Sequence, residues 1–203
     1  MKRKNKVIVG ITGVIGSGKS TAAEFFCSQG YPLVNADRIG HQVLKDNSIK
    51  KKLVAEFGNR ILENGEINRK KLGNIVFEDK NKLLNLNLIV HPKIIDKIKK
   101  KVNKIDASMV FIDAALLLDW NMDKFCDVVI LITADETTLI NRLNSYRNYS
   151  AEQAKSRMKA QDFSKEKADY IITNNSSKEE FYIKLEKILH QIKLDSRDYD
   201  GKY

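Results

Sequence analysis

Gly13 to Ser20 read Gly-Val-Ile-Gly-Ser-Gly-Lys-Ser and fit the spacing Gly, four residues, Gly-Lys-Ser/Thr that cradles nucleotide phosphates. Gly13, Gly16 and Gly18 let the backbone turn so that successive N–H groups, those of Ser17 to Thr21 included, point at phosphate oxygens beside the positive end of a following helix. Lys19 would reach the β- and γ-phosphates of a nucleotide, and Ser20 would ligate Mg²⁺. Two carboxylates close apolar runs elsewhere. Asp113 ends Met109 to Ile112, where it either approaches Mg²⁺, directly or through water, or is a turn aspartate. Asp37 follows Tyr31 to Val34, where it either faces whatever the loop holds or caps a helix.

These groups need strands and helices to hold them. Val7 to Thr12 is an apolar, β-branched run that predicts a strand into the loop, and Thr21 to Gln29 predicts the helix out of it, with Ala22, Phe25 and Phe26 inward. Gly30 ends that helix. Tyr31 to Val34 predicts a second strand, and Ile39, Val43 and Leu44 resume helical spacing. Ile49 to Val102 is mostly helical in pattern, punctuated by Gly58 and Asn64-Gly65, and is too long for one crossover. It predicts a helical insertion that closes over a substrate. Within it Pro92 is expected to start a new helix carrying Ile94, Ile95 and Ile98, with His91 at the surface or as a cap.

Asp127 to Ile132 predicts a further strand, Thr133 to Asn144 a helix, and Asp169 to Ile172 a short last strand. Before that last strand, Arg142, Arg147 and Arg157 gather with Gln161 in a polar stretch. It reads either as a mobile lid over transferring phosphates or as a charged helix face. Glu179 to Leu194 predicts an amphipathic closing helix, and Asp195 to Tyr203 a frayed tail.

At 203 residues the chain suits one α/β core with one inserted subdomain. Hydrophobic content of 42% and charged content of 31% place it among ordinary globular proteins. The net charge of +10 is spread over helix faces, densest at Lys99, Lys100, Lys101 and Lys104, without interleaved aromatics to stack bases. It reads as a basic surface that attracts small anionic substrates, with no nucleic-acid partner. Lys2, Arg3, Lys4 and Lys6 precede an apolar run as in a signal peptide, but Gly10, Gly13 and Gly16 interrupt that run and no cleavage site follows. No stretch is long enough to span a membrane, so neither a membrane partner nor an export route is expected. Cys27 and Cys126 lack metal-ligand spacing and are expected to be buried thiols in a reducing cytoplasm. Oligomeric state leaves no mark in the sequence.

Taken in order, the residues resemble the dephospho-CoA kinase family from Val9 to Asn175. The resemblance rests on Gly13 to Thr21, Asn35-Ala36-Asp37-Arg38-Ile39, Gly65 through Asn68-Arg69 to Val76-Phe77, His91-Pro92 and Leu116-Leu117. It continues through Arg142-Leu143, Arg147, Arg157 with Gln161, and Ala168-Asp169 to Asn174. It implies ATP-dependent phosphorylation of the 3′-hydroxyl of dephospho-CoA. It also implies an α/β P-loop kinase core with a five-stranded parallel sheet flanked by helices. That core would comprise 1–39, 106–140 and 169–195, with a helical substrate domain at 40–105 and a lid at 141–168. By the same resemblance Asp37 activates the hydroxyl, Arg142 and Arg147 serve ATP and the transferring phosphoryl group, Arg69 and His91 lie on the substrate side, Asn174 belongs to the ATP site, and the residues near Asn174 and Asn175 resemble those beside the adenine. Asn35 stands where the family usually has aspartate, Val14 where a third loop glycine is common, Ala115 in place of a usual proline and Asp119 in place of a usual glutamate.

Three other readings compete, one of them a kinase for a different small substrate such as a nucleoside. Asp37-Arg38-Ile39-Gly40 and Asn103-Lys104-Ile105-Asp106 match GTPase motifs in order, but a guanine-reading motif should follow an apolar strand. The basic balance together with Asn35 alone suggests a non-catalytic nucleotide- or RNA-binding protein.

Overall fold

The computed structural model describes residues 6–147, 149–159 and 165–200. The stretch Val7–Gly13 forms β1, buried at every position but its first, as expected of an interior parallel strand covered on both faces. It pairs in parallel with β5 (Met109–Asp113) on one side and β6 (Val128–Thr133) on the other. With β2 (Leu33–Asn35) and β7 (Tyr170–Thr173) these make a five-stranded parallel sheet in the order β2-β5-β1-β6-β7. The carboxyl ends of β1 and β5 therefore lie side by side, which brings Gly13 and Asp113 to one edge of the sheet.

Alternation along β1 sends Val9 and Ile11 to one face of the sheet, where they meet α1 (Lys19–Ser28) and α8 (Lys178–Asp200). Phe26 of α1 stacks on Phe111 of β5 with ring centroids 4.2 Å apart, and Phe181, Leu185, Leu189 and Ile192 of α8 complete this core. Gly10 points to the opposite face. A Cβ there would stand 2.6 Å from Leu117 Cδ1 and 2.9 Å from Cys126 Sγ, so close packing beneath the central strand requires glycine.

Residues Asn35–Lys104 form a separate compact unit with a core of its own. Its helices are α2 (Ala36–Val43), α3 (Asn47–Phe57), α4 (Arg69–Val76) and α5 (Lys80–Lys104). Val90, Ile94, Ile98 and Val102 make the buried stripe of α5, and the other three helices pack on α5 with Ile39, Leu53 and Leu72 buried. Asn64 at φ 50° and Gly65 at φ 77° turn a short hairpin between β3 (Leu62–Glu63) and β4 (Glu66–Ile67), a connection that suits two left-handed residues.

Several expectations change. Pro92 lies inside α5 and starts no helix. Its missing N–H and its ring cost a helix interior about 3 kcal/mol, and the buried stripe on both sides of it carries the helix through. The polar stretch after α6 (Glu136–Arg147) holds another helix, α7 (Ala151–Lys159), anchored by buried Ala154. The last helix runs through the expected frayed tail to Asp200, and residues 201–203 lie outside the described residues. Cys27 is exposed, because α1 turns Ala22, Ala23, Phe25 and Phe26 to the sheet and leaves Cys27 on the outer side; Cys126 is half-buried.

Candidate active site

The loop leaves β1 at Gly13 and enters α1 at Lys19. Gly16 has φ 83° and Gly18 φ 97°, a region that side chains disfavour. Space is equally short. A Cβ on Gly13 would lie 2.4 Å from the carbonyl oxygen of Ile132, and one on Gly18 would lie 2.4 Å from Nδ2 of Asn174. A Cβ on Gly16 would stand 3.3 Å from Cγ of Leu143, so α6 is packed directly against the loop. Ser17 is fully buried, Thr21 is half-buried and Ser20 is exposed in the first turn of α1.

A loop that aims its N–H groups outward must turn carbonyl groups inward, where each needs a donor. Nδ2 of Asn174 donates to the carbonyl of Ser17 at 2.8 Å. One guanidinium nitrogen of Arg142 donates to the carbonyl of Gly16 at 3.4 Å, and another to Oδ1 of Asn174 at 3.5 Å. Arg142 and Asn174, expected to serve ATP, thus both have side-chain hydrogen bonds to carbonyl groups of the loop. No local sequence pattern marks this, since Asn174 and Ser17 are 157 positions apart.

Lys19 is ion-paired with Asp113, whose carboxylate is 4% exposed at the end of β5. The loop lysine is therefore held at the sheet edge from which the loop springs. Among the described residues no group of three or more His, Cys, Asp or Glu side chains could hold a metal ion. Mg²⁺ keeps several waters and takes phosphate oxygens readily, so one exposed hydroxyl at Ser20 and one carboxylate at Asp113 fit an ion that arrives with a nucleotide.

Asp37, Arg69 and His91 belong to the Asn35–Lys104 unit. Oδ1 of Asn35 accepts from the N–H of Arg38 at 2.9 Å and so caps α2, which leaves Asp37 as an exposed carboxylate in the first turn rather than a cap. Asparagine caps as well as aspartate does, so the departure at position 35 keeps this function. Arg69 is exposed at the start of α4, where Asn68 caps the N–H groups of Lys70 and Lys71. His91 is half-buried within α5, neither a surface residue nor a cap, and burial pulls its pKa below the ordinary histidine value. Arg147 closes α6, and Gln161 lies outside the described residues. Asn103 and Lys104 end α5 instead of following a strand, which removes the setting a guanine-reading motif needs.

A family model for dephospho-CoA kinase matches residues 7–180. The chain belongs to the dephospho-CoA kinase family. A dephospho-CoA kinase of Fusobacterium nucleatum subsp. nucleatum is 37% identical over 190 residues, covering 92% of this chain and 98% of the relative. A crystal structure of a Thermus thermophilus protein superposes with a TM-score of 0.79 at 28% identity, covering 93% of this chain and 98% of that one. The dephospho-CoA kinase of Campylobacter jejuni superposes with a TM-score of 0.62, also at 28% identity and with the same coverage of both chains. Members of this family are ATP-using kinases, and a kinase is what the chain's family makes it.

Proposed function

We propose that this chain transfers the γ-phosphoryl group of ATP to the 3′-hydroxyl of dephospho-CoA, giving coenzyme A and ADP. The observation that carries the reading is the loop at Gly13 to Ser20, with Lys19 held against Asp113, in a chain of this family. The γ-phosphorus–oxygen bond to ADP breaks, a bond to the 3′-oxygen forms, and the hydroxyl proton leaves. Phosphoryl transfer passes through a loose transition state, so placing the reactants and neutralising charge outweigh a strong base.

The loop amides and Lys19 stabilise charge that builds on the β–γ bridging oxygen. Ser20, with Asp113 directly or through water, would hold Mg²⁺, which would supply neutralisation of the phosphate charge. Asp37 orients the acceptor hydroxyl in line and takes its proton late; its exposure in the first turn of α2 leaves the carboxylate accessible. Arg142 and Arg147 of α6 serve the nucleotide end, and the segment 141–168 is the lid that keeps water from the γ-phosphate. The Asn35–Lys104 unit holds dephospho-CoA through Arg69 and His91. Both substrates are small anions in the cytoplasm, and the net charge of +10 draws them in.

The test is to incubate the protein with MgATP and dephospho-CoA and to look by mass spectrometry for a product one phosphoryl group heavier, with the new phosphate located at the 3′ position. ADP release without that product would overturn the acceptor, and no ATP consumption would overturn the transfer.

A further inference from the structure

The side chain of Asn174 is 5% exposed and has one partner of each kind. Its amide nitrogen donates to the carbonyl of Ser17 at 2.8 Å, and its amide oxygen accepts from Arg142 at 3.5 Å. The orientation follows from chemistry, because a carbonyl can only accept and a guanidinium can only donate. Its own backbone is fixed as well, since the N–H of Asn174 donates to the carbonyl of Thr133 at 2.8 Å and extends the β6–β7 ladder by one bond. Asn174 is thus a rigid peg at the carboxyl end of β7.

The peptide it grips is Ser17–Gly18. The carbonyl of that unit and the N–H of Gly18 point in opposite directions because the peptide is planar. Pulling the carbonyl toward Asn174 turns the N–H of Gly18 out toward the phosphate side, and polarisation through the peptide makes it a stronger donor. Gly18 itself, at φ 97°, leaves room for the peg and nothing more, with Nδ2 2.4 Å from where a Cβ would stand. Arg142 supports the same arrangement from the side through the preceding carbonyl, that of Gly16.

From this geometry we infer that Asn174 is a positioning residue for phosphate binding: it holds the Ser17–Gly18 peptide in its anion-binding orientation and makes its side-chain contact with the loop instead of the adenine. The inference deepens the kinase reading, on which it rests for the use of the loop. A residue that reads the base affects only nucleotides that carry that base. A residue that sets the loop affects every ligand with a polyphosphate, base or no base.

The experiment compares wild type, Asn174→Asp and Asn174→Ala by displacement of a fluorescent ATP analogue with MgATP, MgGTP and magnesium tripolyphosphate. An aspartate has the same shape but turns a second acceptor on the Ser17 carbonyl, and alanine leaves that carbonyl without its donor. The loss expected for all three ligands is the same factor, about tenfold or more for Asp and somewhat less for Ala. In turnover assays the KM for MgATP rises by that factor, while the KM for dephospho-CoA stays put, a split that simple loss of folded enzyme does not produce. Tripolyphosphate binding unchanged while ATP binding falls would overturn the inference in favour of base contact, and unchanged binding of all three would remove any role. If Asn174→Asp does not fold, the alanine variant reads the same comparison. Wild type that binds tripolyphosphate yet makes no coenzyme A defeats the acceptor assignment and leaves the peg standing. Wild type that binds none of the three defeats both.

Discussion

The ammonium of Lys19 is paired with the carboxylate of Asp113, and both side chains are largely withdrawn from solvent, at 12% and 4% exposure. A buried pair stabilises little against an apolar replacement, but losing one member strands the other. Lys19→Met and Asp113→Asn are each expected to lower unfolding free energy by about 3 kcal/mol, and the double variant by much less than the sum. Denaturant unfolding of the four proteins measures the coupling. Additive losses would mean that the pair is not formed in solution. Turnover separates the roles further, because Lys19→Met removes phosphate neutralisation and should lose activity about 10³-fold or more.

Asp37 is the acidic residue of the first turn of α2, and the capping role there is taken by Asn35. Asp37→Asn keeps the helix and its shape but removes the carboxylate proposed to take the hydroxyl proton. The expected outcome is a drop in kcat of about 10²-fold or more with nearly unchanged KM for MgATP. Turnover close to wild type would take the residue out of the mechanism. Asn35→Asp at the cap itself should leave stability within about 0.5 kcal/mol, since either side chain caps.

What could be read in the chain before folding was what is local. The run Val7 to Thr12, the glycines after it and the amphipathic spacing after Ser20 specify strand, turn and helix within one short segment, and the structure has each in place. Helix continuity through Pro92 was not legible, because a local penalty of a few kcal/mol is outweighed by contacts of Val90 and Ile94 with helices far away in sequence. The same holds for the donors to the loop's carbonyl groups. Asn174 looks like any polar residue after a short strand, and only the sheet order, with β6 between β1 and β7, brings it to Ser17. Asp113 shows the intermediate case: the end of an apolar run marked it, but its pairing with Lys19 depends on β1 and β5 being neighbours.

His91 gives the Asn35–Lys104 unit a pH dependence whose direction can be worked out. Burial lowers its folded-state pKa, so in mild acid the folded protein binds fewer protons at this site than the unfolded chain does. Its contribution to stability is complete above the unfolded histidine pKa of about 6.5 and is lost as pH falls through the lower, folded value. Between about pH 7.5 and 5.5 the wild type should therefore lose more in Tm than His91→Gln, which cannot take up a proton. Scanning calorimetry of both proteins at the two pH values checks this, and equal losses would show that the imidazole is solvated in the folded state.

Two glycines in the chain make opposite demands. Gly40 lies within α2, and a Cβ there would meet only Ile94 Cδ1, at 3.7 Å, an ordinary contact. Gly40→Ala should raise stability by about 0.5–1 kcal/mol through helix propensity. Gly18 has φ 97°, and a Cβ there meets Asn174 Nδ2 at 2.4 Å. Gly18→Ala must strain the backbone by about 1–2 kcal/mol and push the amide off the Ser17 carbonyl, so it should lower Tm and shrink the further rise in Tm that MgATP confers. Thermal melts of both variants with and without MgATP make the comparison. A Gly18→Ala protein with wild-type Tm and a full MgATP shift could not have the loop in the conformation described, because neither the backbone angle nor the space admits the methyl group.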